Sequence, residues 1–129
     1  MKSTPRLSLT LLPQTLALCG LDPEAPWPDW VQGPGLVSLT RTEEELSLIC
    51  PQDRLPAGLT AQRGWRCFKV GGPLDPNQTG VLAALSEPLA QAGVSLLVVS
   101  TFETDYILIK EKDLSRAVEV WERAGHHIE

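Results

Sequence analysis

Apolar residues run almost unbroken from Leu7 to Leu21, so this stretch is read as one extended strand, with a bend expected at Pro13. A proline- and glycine-rich connection follows, Asp22–Gly35, holding Trp27 and Trp30, with room for one short helical turn at Asp29–Val31. Leu36–Cys50 then reads as two strands around an acidic turn at Thr42–Glu44, and Pro51 stops the second strand. Pro51–Gly58 is too short and too proline-rich for a full helix.

The second half is more regular. Trp65–Val70 alternates like a strand and is ended by Gly71-Gly72-Pro73, and Pro73–Gly80 is a turn-rich loop. Thr79 is placed to cap a helix whose apolar face is Val81, Leu82, Leu85 and Leu89. Pro88 falls inside that pattern and is expected to bend or split the helix, and Gly93 fits the position just past its end. Val94–Thr101 is apolar on both faces, which suggests a central strand. Tyr106–Lys110 is the next strand. Asp113 can cap a last helix with Leu114, Ala117, Val118 and Trp121 on its apolar face. Gly125 ends that helix, and residues 126–129 can form a short final strand.

From residue 65 the order is thus β-α-β-β-α-β, the ferredoxin-like split βαβ pattern. The first half has the same order with degraded helices. The chain is read as α+β, in two units: a degenerate unit over 1–64 and a complete one over 65–129. A short internal repeat agrees, aligning Thr40 with Thr101, Glu44 with Asp105, Leu46 with Ile107 and Leu48 with Ile109.

Composition narrows the function. Of 129 residues, 43% are apolar and 21% charged, which is globular composition, and no Lys/Arg stripe accompanies the net charge of −5, which argues against nucleic acid. No stretch approaches the roughly 20 apolar residues of a membrane span. Lys2 and Arg6 precede an apolar run, but Pro13, Gln14 and Thr15 break it into pieces shorter than a signal core, so the protein is read as cytoplasmic. Cys19, Cys50 and Cys67 are odd in number and far apart, as expected of buried reduced thiols. The sequon Asn77-Gln78-Thr79 then carries no meaning. His126 and His127 are adjacent, so in an extended chain they point to opposite sides and make a poor chelate. No metal site, cofactor or nucleophile–base pair is expected, and the chain is not read as an enzyme. Trp30-Val31-Gln32-Gly33-Pro34-Gly35 echoes an acylphosphatase phosphate loop, but departs from it at Pro34 and Gly35 and lies between the wrong elements.

The run Thr79–Ser95 leading into Val98–Leu114, with Ser-Thr-x-x-Thr-Asp-Tyr-Ile-Leu at its centre, resembles the small bacterial proteins with two tandem ACT units. It is also similar to the ACT units of cytosolic arginine sensors and of aspartate kinases. That resemblance implies an antiparallel sheet with helices on one face, side-by-side pairing into homodimers, and a regulatory role in binding an amino acid or similar small molecule. The short or missing helices of the first half depart from the family pattern.

An α-amino acid needs N–H donors for its carboxylate and oxygens for its ammonium. The helix start at Thr79, Gly80 and Val81 offers amides and a positive dipole end, and Gly80 allows close approach. Ser100, Thr101, Phe102 and Asp105 form the facing turn. Similarity to the arginine sensors implies that Thr101, Phe102 and Asp105 contribute to a pocket, with Asp105 as the anion, Thr101 as a hydroxyl partner and Phe102 as a wall. Each has a plainer reading: Thr79 as a cap, Asp105 as a turn acid and Phe102 packing on a neighbouring unit. Glu43–Glu45 reads as a solvated turn, and Trp27 and Trp30 as covers for core edges. The alternative function is an interaction module without ligand, in which the same residues seal a homodimer.

Overall fold

The computed structural model describes residues 5–71 and 77–129. The expected turn at Gly72-Pro73 and the start of the loop after it lie outside these residues. The chain divides into two compact units: Gln14–Trp65, and Met1–Pro13 together with Arg66–Glu129. The division near residue 65 sits where the strand signal of the second half begins, and the first thirteen residues group with the C-terminal half.

Strand β1 (Ser8–Leu21) belongs in part to each unit. In Gln14–Trp65 it is followed by a 3-10 turn at Asp29–Val31, strands β2 (Ser38–Arg41) and β3 (Leu46–Pro51), a 3-10 turn at Gln52–Arg54, and the start of β4 (Gln62–Val70). The element order is that of a βαββαβ unit with a 3-10 turn in each helix position. Proline explains the truncation, since Pro26, Pro28, Pro34, Pro51 and Pro56 supply no amide for helical hydrogen bonds. Strand β3 pairs antiparallel with both β1 and β2. Cys19, Leu46 and Leu48 form the core of this unit, with Trp30 packed on it, while Trp27 is 54% exposed and covers no core edge.

In the other unit, β4 leads through α1 (Val81–Gln91), β5 (Leu96–Ser100), β6 (Asp105–Lys110) and α2 (Leu114–Arg123) to β7 (His127–Ile128). Strand β6 lies between β4 and β5, and β7 runs parallel to the beginning of β1. The fold is the ferredoxin-like α+β arrangement expected from the sequence. Strand β5, however, is an edge strand. The fully buried position belongs to β6, through Ile107, Leu108 and Ile109, whereas Val98 is exposed. Apolarity on both faces did not separate the two neighbours, because an edge strand with half-buried faces carries the same Val/Leu run.

Helix α1 buries Val81, Ala84, Leu85 and Leu89, so Ala84 takes the place expected for Leu82, which is 41% exposed. Pro88 does not split the helix. It cannot donate to the carbonyl of Ala84 one turn earlier, and the Nε2 of the buried His126 lies 3.1 Å from that oxygen instead. His126 Nδ1 in turn accepts the Leu7 N–H at 3.1 Å, which makes the ring the neutral Nε2–H tautomer. On α2, Ala117 and Trp121 are buried, with Leu114 and Val118 packed at the margin. Trp121 donates its indole N–H to the Leu85 carbonyl at 2.9 Å and meets Phe68 edge-on, with centroids 4.9 Å apart. Such an aromatic pair adds about 0.5–1.5 kcal/mol beyond area burial. Asp113 occupies the cap position of α2 without a side-chain capping bond, because a 3-10 turn at Glu111–Asp113 leads directly into the helix.

The internal repeat exists in a different register. The hairpins pair Arg41 with Leu46 and Ser100 with Asp105, so Thr42, not Thr40, corresponds to Thr101. Thr42 N–H donates to Glu45 O at 2.9 Å, and Thr101 N–H to Thr104 O at 2.8 Å. A shift by two residues keeps every side chain on its own face of a strand, so the alternation of apolar residues did not reveal it.

Candidate functional site

The turn between β5 and β6 is tied down at several points. Thr101 donates its hydroxyl to Thr104 O at 3.0 Å and accepts the Thr104 N–H at 3.3 Å. The buried Thr104 hydroxyl donates to Val70 O at 2.6 Å, fastening the turn to the end of β4. At its base, Ser100 donates its hydroxyl to Asp105 Oδ1 at 2.6 Å. Asp105 is thus an acid at the base of the turn whose carboxylate is held by a neighbouring hydroxyl.

The start of α1 faces this turn. The residue at its cap is Gly80, in the left-handed region at φ +83°, and among the described residues no side-chain capping bond is made there. Thr79 is thus not the cap. Its β-branched side chain disfavours the left-handed conformation that the entry requires, which glycine adopts freely. Ala84 N–H makes the first helical bond, to Gly80 O at 2.9 Å. The amides of Val81, Leu82 and Ala83 precede that bond and sit at the positive end of the helix dipole.

Between these elements lies an open cleft of about 440 Å³, lined by Gln78 and Gly80–Ala83 on one side and by Thr101–Asp105 on the other. The fold brings Gly80, Val81, Thr101, Phe102 and Asp105 together here. Thr79 and Ser100 do not line the cleft, and Ser100 reaches it only through Asp105. Gln78, Leu82, Ala83, Glu103 and Thr104 were not foreseen as side chains of the site. The off-face position of Leu82 in a helix starting at Val81 is the signal that could have found it. Phe102 is fully exposed at the rim, so in this state its ring excludes no water from the cleft. Backbone donors on one wall and the carboxylates of Glu103 and Asp105 on the other give the cleft the two-sided polarity of a zwitterion acceptor.

Among the described residues, no group of three or more His, Cys, Asp or Glu side chains is placed to hold a metal ion. His126 is buried and His127 is exposed beside Glu129. The three cysteines are free and buried. Burial raises all three thiols above their ordinary value, and Cys67 is pushed up to about 12. No described helix is long and apolar enough to cross a membrane.

Comparison with known proteins agrees with this geometry. Residues 60–123 match the family model for the ACT domain, and residues 14–58 match a second model, for an N-terminal domain. A 76-residue segment is 37% identical to the human protein named cytosolic arginine sensor for mTORC1 subunit 1, covering 57% of this chain and 22% of that one. The match therefore spans less than a quarter of the length of that relative. A crystal structure from Agobacterium tumefaciens matches with a TM-score of 0.93 and 36% identity, over 98% of this chain and 94% of that one. The ligand-free regulatory subunit of aspartate kinase from Thermus thermophilus shares the fold at a TM-score of 0.59 and 13% identity, over 91% and 97% of the two chains. The ACT match encloses every residue that lines the cleft, and residues 60–123 of this chain belong to the ACT-domain family.

Proposed function

We propose that this protein is a regulatory module that binds a free amino acid in the cleft between the start of α1 and the β5–β6 turn. The observation that carries this reading is the opposition of uncapped amides at Val81–Ala83 to the carboxylate of Asp105 across one cleft. The ligand carboxylate would sit on the amides, and its ammonium against Asp105, with Thr101 as a hydroxyl partner. The names of the relatives, an arginine sensor and an aspartate kinase regulatory subunit, support an amino acid as the ligand class. Binding would bias self-association or association with an enzyme partner, by favouring one of two states. The module acts by binding, without catalysis, in the cytoplasm. Gln14–Trp65 is read as a degenerate ACT-like unit beside the complete one, on the strength of its element order and its matching hairpin turn.

The test is a thermal-shift screen against the twenty amino acids. A ligand present at about 100 times its Kd adds roughly 2.7 kcal/mol to the folded state. Asp105→Asn is expected to keep the melting temperature of the free protein and to remove the ligand-induced shift. A shift that survives Asp105→Asn would place the site elsewhere. A second reading, an interaction module that seals a homodimer without ligand, draws on the full exposure of Phe102 beside the half-exposed Leu82. Absence of any ligand shift together with a dimer broken by Phe102→Ser would favour it.

A further inference from the structure

The two units share an element order and a hairpin turn, yet differ in the residue pair at the base of that turn, Arg41 with Leu46 in one and Ser100 with Asp105 in the other. Ser100, the last residue of β5, ends in a hydroxyl; its counterpart Arg41, the last residue of β2, ends in a guanidinium. Arg41 reaches back to the loop that follows β1, which corresponds in chain order to the segment between β4 and α1. There Nη1 donates to Pro23 O, Nη2 donates to Ala25 O at 2.8 Å, and the guanidinium carbon lies 5.4 Å from the ring centroid of Trp27.

The loop is built to hold this shape. Ala25 N–H donates to Asp22 O at 3.0 Å, and Glu24 N–H to Asp22 Oδ1 at 2.9 Å, closing a turn that directs two carbonyls to one side. Pro23, Pro26 and Pro28 fix their φ angles and supply no competing donors. Two convergent acceptors and an aromatic face suit a planar cation with several N–H groups. They suit a compact ammonium less well, since it cannot bridge both oxygens while stacking on the ring.

We infer that Pro23 O, Ala25 O and the face of Trp27 form a guanidinium-binding slot, which Arg41 of the same chain fills. Where the complete unit keeps an open cleft, the degenerate unit carries a tethered occupant. Its effective concentration, on the order of millimolar or above, keeps weakly binding free cations out. Removing the occupant therefore opens a site for small guanidinium compounds.

The test uses the full chain, with methylguanidinium as probe and methylammonium as control, read by tryptophan fluorescence. In Arg41→Ala, methylguanidinium is expected to give a saturable change that methylammonium does not. The wild type should need at least about tenfold more probe, given the tethered competitor. Adding Trp27→Phe to Arg41→Ala should remove the signal, which identifies the reporter. Arg41→Gln, which keeps most of the side-chain stem, carries the same test should Arg41→Ala not fold. An equal response of wild type and variant, no saturation in the variant, or an equal response to methylammonium would each overturn the assignment.

Discussion

His126 stands in for an amide that Pro88 cannot supply, and its removal should expose that dependence. In His126→Ala, the Ala84 carbonyl and the Leu7 N–H both lose a buried partner. Each unsatisfied buried group costs about 1–3 kcal/mol, so the expected loss is about 2–6 kcal/mol before the cavity left by the ring. Against a total stability of about 5–15 kcal/mol, that is a large share. Urea unfolding followed by tryptophan fluorescence measures it, with Trp121 in the core as a reporter. The decisive comparison is the double-mutant cycle with Pro88→Ala. Alanine at 88 restores the N–H that can donate to Ala84 O, so His126→Ala should cost about 1–2 kcal/mol less in that background. Additivity within about 0.5 kcal/mol would refute the idea that the imidazole replaces the missing amide.

Two further outcomes are expected. The raised value of the Cys67 thiol means that the folded state holds it neutral, so stability is full below pH 9.0 and falls between there and about 12. The slope contributed is about 1.4 kcal/mol per pH unit, measurable by urea unfolding at several pH values, and Cys67→Ala should make the decline shallower. An unchanged slope in that variant would assign the alkaline loss to other groups. Gly80→Ala should cost about 1–2 kcal/mol through its positive φ rather than through contact, because among the described residues an added Cβ meets only Pro5 Cδ at 4.0 Å. Gly93→Ala, also at positive φ with open space around it, is the matched control for stability without a change at the cleft, and a neutral Gly80→Ala would contradict the strain argument.

Several features were legible in the sequence because they depend on local rules. The 3-10 turn at Asp29–Val31, the end of β3 at Pro51 and the short strand after Gly125 follow from proline, glycine and alternation. Five of the seven named site residues meet at one cleft because the helix start and the facing turn were each recognisable alone. Thr79 is not the cap because the helix entry needs a left-handed backbone, which falls at Gly80 and which side-chain capping preference does not report. Leu82 lies off the buried face because helix phase depends on where the first turn begins.

The sequence by itself determined the order of the elements, the truncation of the first half and the identity of the turn that lines the cleft, since these rest on contacts between near neighbours in the chain. The tertiary structure alone decided that β5 is an edge strand, that Pro88 stays within a helix, and that His126 serves the carbonyl this proline leaves open. Ala84 and His126 are 42 positions apart, and Leu7 and His126 are 119 apart. No local pattern encodes such partners; they follow from which segments the packed core brings together, because a buried polar group must find whatever partner the fold places within reach.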